Sequence, residues 1–100
     1  MKPYRDYDES LLKALADPEE AATFLSAALE DDDPTLFLHA LGQVARAHGM
    51  TETAARAGMN RVSLYKALSE TGNPELRSVV GVLHAIGLKL EVGVERRLKY

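Results

Sequence analysis

Cysteine is absent from this 100-residue chain, which excludes a disulfide framework, a thiolate metal site and a thiol nucleophile. No apolar run approaches the ~18 residues of a membrane span, and the start, Met1-Lys2-Pro3-Tyr4-Arg5-Asp6, lacks the apolar stretch of a secretory leader. The expectation is a soluble, cytoplasmic protein. No G-x-S-x-G turn surrounds any serine, and no glycine-rich phosphate cradle is present. His39, His48 and His84 lie far apart and lack metal-ligand spacing. The expected sites therefore include no catalytic residue, no metal and no cofactor.

A net positive charge is also missing, since the chain sums to −3. The sum hides a division. Residues 1–33 hold three basic against ten acidic side chains, a net −7, whereas residues 34–100 hold nine basic against five acidic, a net +4. An acidic N-terminal part joined to a mildly basic body points to two different partners.

What is present is helical periodicity with clear punctuation. Leu11, Leu12 and Leu15 share one side of a first segment, and Asp17-Pro18-Glu19-Glu20 opens a second helix through Pro18 to Glu30, with Ala21, Phe24, Leu25, Ala28 and Leu29 on one face. Asp33-Pro34 repeats the start signal for a helix to about His48, carrying Leu36, Phe37, Ala40, Leu41, Val44 and Ala45. Ser78 is placed to cap a later helix carrying Val79, Val80, Val82, Leu83 and Ile86 and closed by Gly87, with Gly81 a weak point inside it. From Leu88 the period becomes two: Leu88, Leu90, Val92 and Val94 alternate with polar residues or glycine, which predicts a strand. Nothing else in the chain reads as its neighbour, so the expected partner is the same strand of a second copy, in a two-fold homodimer.

Between these segments, residues 51–69 read as two short helices broken at Gly58, the pattern of a helix-turn-helix. Thr51 is expected to cap the first and Asn60 the second, with Ala54, Leu64 and Ala67 inward. That phase leaves Arg61, Val62, Tyr65 and Lys66 outward, where a DNA major groove would meet them. Arg61 can bond guanine O6 and N7, Lys66 a guanine or a phosphate, Val62 a thymine methyl, and Tyr65 a phosphate or sugar edge, unless its ring packs on Leu68 instead. Thr51, Thr53, Asn60 and Ser63 are candidate phosphate contacts, and Arg77 a further one.

Gly49-Met50-Thr51-Glu52-Thr53-Ala54, Ala57-Gly58-Met59, Ser63-Leu64-Tyr65-Lys66-Ala67-Leu68-Ser69-Glu70, Gly72-Asn73-Pro74 and Ala85-Ile86-Gly87-Leu88-Lys89-Leu90 resemble the addiction-module antidotes, HigA-like antitoxins of the Xre/Cro superfamily. The likeness spans roughly residues 34–94 and the general layout of the N-terminal part. Gly81 stands where that family more often has a helix former, and Thr53 where an aliphatic is usual. The resemblance implies an all-α, lambda repressor-like helix-turn-helix domain, autorepression at double-stranded operator DNA, and neutralisation of a RelE/ParE-superfamily toxin. The expected organisation is an acidic helical arm over residues 1–33, a DNA-binding domain over 34–87, and a strand with a basic tail over 88–100. The arm is the expected toxin contact, with Leu11, Leu12, Leu15, Phe24 and Leu25 as anchors, although the same residues suit an arm folded onto its own domain. A repressor without a toxin, and a protein-interaction module without DNA binding, remain as alternatives.

Overall fold

Proline, aspartate and glycine set where the helices begin and end. The computed structural model describes residues 3–69 and 71–95, with side chains from residue 9 onward. Among the described residues there are six α-helices: α1 Pro3–Leu15, α2 Pro18–Leu29, α3 Pro34–His48, α4 Met50–Arg56, α5 Arg61–Ala67 and α6 Leu76–Ala85.

The starts differ in chemistry. Asp17 is extended and precedes Pro18, but its side chain makes no capping bond; its backbone carbonyl accepts from Ala21 at 2.9 Å instead. Asp33 does cap α3. Its carboxylate accepts the Thr35 N–H at 3.0 Å and also the Thr35 hydroxyl, and these two bonds hold the carboxyl below the ordinary aspartate range. Two expected caps shift. Helix α4 begins at Met50, so Thr51 is already inside it and Gly49 occupies the capping position. Helix α6 begins at Leu76 because the carbonyl of extended Glu75, just after Pro74, accepts from both Ser78 and Val79. That bond absorbs Ser78 into the first turn.

One continuous apolar core joins all six helices. Leu15 of α1, with Ala21 and Leu25 of α2, packs with Phe37, Ala40, Leu41, Val44 and Ala45 of α3, and the cluster continues through Met50, Ala54, Leu64, Leu68, Val82, Leu83 and Ile86. Helix α3 is the pivot, contacted by α1, α2 and α4, while α6 packs on α4. Its Leu41 and Ala45 are fully buried at 0%, and burying a leucine contributes about 1.5–3 kcal/mol. Within α5 the inward pair is Leu64 and Leu68, one turn apart; Ala67, expected inward, is only half-buried.

The N-terminal helices are therefore built into this core, and two of the expected toxin anchors are corrected. Leu15 and Leu25 are 3% and 4% exposed and cannot reach a partner. Leu11 and Phe24 are partly buried against the same core, and Leu12 is half-buried.

The strand expected over residues 88–94 is not formed by the described residues of one chain alone. Among the described residues no strand forms; residues 88–95 follow α6 without ladder hydrogen bonds. Leu88 packs against the core, but Leu90 is 39%, Val92 95% and Val94 74% exposed. Period-two patterning builds a strand only where a neighbouring backbone answers its N–H and C=O groups, and the described residues supply none there. The basic residues Arg96, Arg97 and Lys99 of the tail lie outside the described residues.

Candidate nucleic-acid interface

The α4–α5 unit is closed by backbone chemistry that residues 57–60 dictate. After α4, the Gly58 N–H bonds the Ala55 carbonyl at 3.2 Å and the Met59 N–H bonds the Ala54 carbonyl at 2.8 Å. This paired 5→2 and 6→1 arrangement ends a helix through a left-handed residue, and Gly58 takes that place at φ +75°. Met59 then packs partly against the core, which fixes the exit direction. Asn60 is extended, and its Oδ1 accepts the Ser63 N–H at 2.8 Å, starting α5 as expected.

The face that α5 presents is exposed and free of acids. Arg61, Val62, Tyr65 and Lys66 all face solvent, Val62 at 66% and Tyr65 at 45%, and α5 contains no aspartate or glutamate. Tyr65 is not packed away as the alternative for it supposed. Instead Arg61, one turn earlier, lies over its ring with the guanidinium carbon 5.5 Å from the centroid, and Arg61 Nη2 donates to the Tyr65 hydroxyl at 3.4 Å. A cation over an exposed ring contributes about 0.5–1 kcal/mol, enough to narrow the rotamers of a long side chain before it meets a ligand.

The other expected contacts divide. Thr51 is exposed on α4. Thr53 is corrected as a phosphate contact: it is 2% exposed, its N–H is bonded to the Gly49 carbonyl, and it lies on the inward stripe with Met50 and Ala54. Asn60 and Ser63 are exposed, but the Ser63 N–H is consumed by the cap, leaving its hydroxyl and the Asn60 amide nitrogen to face outward. Arg77 is exposed in the first turn of α6, a helix that packs mainly on α4. On α4, Arg56 is paired with Glu52 at 2.9 Å in full exposure, a contact of small energetic weight.

Beside the face lie residues that no sequence motif marked. Gln43 and Arg46 of α3 join Tyr65 and Ser69 in lining a groove between α3 and α5, and Gln43 is 8% exposed. Each belongs to its own helix pattern, so their proximity is visible only once α3 is packed beside α5. His39, His48 and His84 are all exposed. Among the described residues no helix is long and apolar enough to cross a membrane.

The family model described as "Probable addiction module antidote protein" matches residues 5–94, which takes in five of the six helices entirely and nearly all of α1. An uncharacterized protein of Haemophilus influenzae is 40% identical over 92 residues, covering 92% of this chain and 93% of the relative. No solved structure matches. Both likenesses run through the acidic N-terminal helices as well as the α4–α5 unit, so the family is defined by the whole shared core and not by a helix-turn-helix alone. The chain belongs to the addiction-module antidote proteins.

Proposed function

We propose that this protein is the antitoxin of a type II toxin-antitoxin module, of the HigA-like Xre/Cro kind, and that it represses its own operon by binding operator DNA through α4 and α5. An antidote implies a toxin partner. The observation that carries the DNA reading is the surface of α5, an exposed valine between cations at the start of an acid-free helix. Arg61 matches the paired acceptors of guanine, Val62 a thymine methyl, and Tyr65, Lys66, Thr51, Asn60 and Ser63 the phosphates on either side, with Arg77 in reserve. Residues 88–94 pair with those of a second copy, which satisfies their backbone and sets two α5 helices about 34 Å apart for two half-sites.

The toxin is of the RelE/ParE type, an expectation that comes from the family resemblance. Its contact surface on this chain is reduced to what the core leaves outside: Leu11, Leu12 and Phe24 at the edge, with Glu19, Glu20, Glu30, Asp31 and Asp32 exposed around them. Such acids steer a partner whose surface is basic for RNA phosphates.

The test is fluorescence anisotropy with duplexes from the DNA upstream of its gene, over a range of salt. Binding whose logarithm falls linearly with log salt is expected, as phosphate neutralisation releases counterions. Arg61→Ala is expected to relax base preference at one position per half-site, by about 1–3 kcal/mol. Absence of binding to every upstream duplex at low salt overturns the DNA reading. Co-purification of a tagged chain with the small basic protein of a neighbouring gene tests the toxin reading, and sedimentation as a monomer at micromolar concentration overturns the dimer.

A further inference from the structure

The groove between α3 and α5 has two walls that both carry hydrogen-bond donors. His39, Gln43 and Arg46 follow one another at helical spacing along α3, and Tyr65 of α5 faces them with Ser69, two residues past the end of that helix. Among the described residues no aspartate or glutamate lines it. Gln43 is nine-tenths buried, and its Oε1 accepts Arg46 Nη1 at 3.3 Å, which tethers the guanidinium along the groove while leaving its other N–H groups unspent. The Gln43 amide nitrogen has no partner among the described residues and is not fully buried, and Gln43 lines the groove. The Tyr65 hydroxyl accepts from Arg61 and keeps its proton to donate. The Ser69 hydroxyl donates to the Lys66 carbonyl at 2.9 Å, closing the end of α5, and lies 3.5 Å from the Thr71 hydroxyl.

We infer that this groove seats one backbone phosphate of the operator, held by Arg46 and Gln43 from α3 and by Tyr65 from α5, with His39 at its mouth. The inference rests on the DNA reading above and deepens it. An anion is the occupant that donors without acids select, and the groove adjoins the helix that faces the bases, so a strand entering the major groove beside α5 presents its phosphates there. Arg46 then acts on register and affinity, while Arg61 acts on sequence.

The experiment measures binding of the full chain and of Arg46→Ala, Arg46→Lys and Arg61→Ala to an operator duplex and a scrambled duplex across a salt series. Arg46 is exposed, so its variants are expected to keep the parent's circular dichroism. Arg46→Ala is expected to weaken both duplexes by the same factor and to lower the salt slope by about 1, with Arg46→Lys keeping most of that slope. An unchanged slope and affinity in Arg46→Ala, beside an Arg61→Ala variant that does lose base preference, overturns the phosphate seat and leaves the DNA reading standing. No salt-dependent binding by the parent overturns both. Inorganic phosphate is the control for a free-anion site: phosphate that binds the parent but not Arg46→Ala, without competing with the duplex beyond its ionic strength, overturns the assignment to DNA.

Discussion

Replacing Gly81 with alanine is expected to stabilise this protein. Gly81 lies inside α6, one turn before its end, where an interior glycine costs about 1 kcal/mol relative to alanine through the backbone freedom it loses on folding. A Cβ built there first meets the Ala57 carbonyl oxygen at 3.8 Å, an ordinary van der Waals contact, so the approach of α6 to the end of α4 does not require the missing methyl. The site is half-buried, and roughly half of the ~0.8 kcal/mol for burying a methylene adds to the gain. The expected sum is about 1–1.4 kcal/mol. With a urea dependence of about 1–2 kcal/mol per molar for so small a chain, the unfolding midpoint moves up by roughly 0.5–1.4 M. Far-UV circular dichroism of both proteins, at matched concentration because association adds to apparent stability, measures this directly. A midpoint at or below the parent's refutes the reasoning and means that α4 and α6 are held closer than a Cβ permits.

Asn60→Ala removes the Oδ1 bond to Ser63 and is expected to cost about 1 kcal/mol in urea unfolding, with Asn60→Ser restoring most of it. Asp33 titrates below the ordinary aspartate value because Thr35 donates to its ionised form, so its stabilising contribution is present above the unfolded-state pKa and is lost as pH falls through the folded one. Thermal midpoints of the parent and Asp33→Asn are thus expected to differ at neutral pH and converge below about pH 4; a constant difference contradicts the cap. Leu25→Ala, within the shared core, is expected to cost about 2–5 kcal/mol. Removing residues 1–33 takes Leu15, Ala21 and Leu25 away together and is expected to abolish the cooperative transition; a truncated chain with the parent's midpoint would show that the core divides at Asp33.

Local signals carried most of the fold. Pro18 and Pro34 open helices, and Gly49, Gly58 and Gly87 close them, because each acts through its own backbone and needs no distant neighbour. Residue identity misleads where helical phase decides burial. Thr53 looked like a surface hydroxyl, yet Met50, Ala54 and Ala57 define a stripe that places it inside, and Leu64 with Leu68 marks the inward line of α5 better than Ala67 does. Leu15 and Leu25 were legible as apolar but not as occupied, since only α3 packed beside them decides that. The same holds for Gln43 and Arg46, whose role depends on a helix two elements away. Residues 88–94 mark the limit from the other side, since alternation describes two faces and a ladder needs a second backbone.

The junction of α3 and α4 is a single residue. Gly49, at φ +106° and ψ 117°, donates its N–H to the carbonyls of Ala45 and Arg46 and offers its own carbonyl to Thr53, so one helix ends and the next begins on one peptide unit. Insertions and deletions are therefore excluded from this point of the chain in a way they are not at residues 30–33 or 71–75. One added residue would turn α4 by about 100° about its axis, carrying Met50, Thr53 and Ala54 out of the core and Thr51 and Glu52 toward it. Length variation among relatives is expected to collect in those two loops, with the spacing from α3 through α5 held constant.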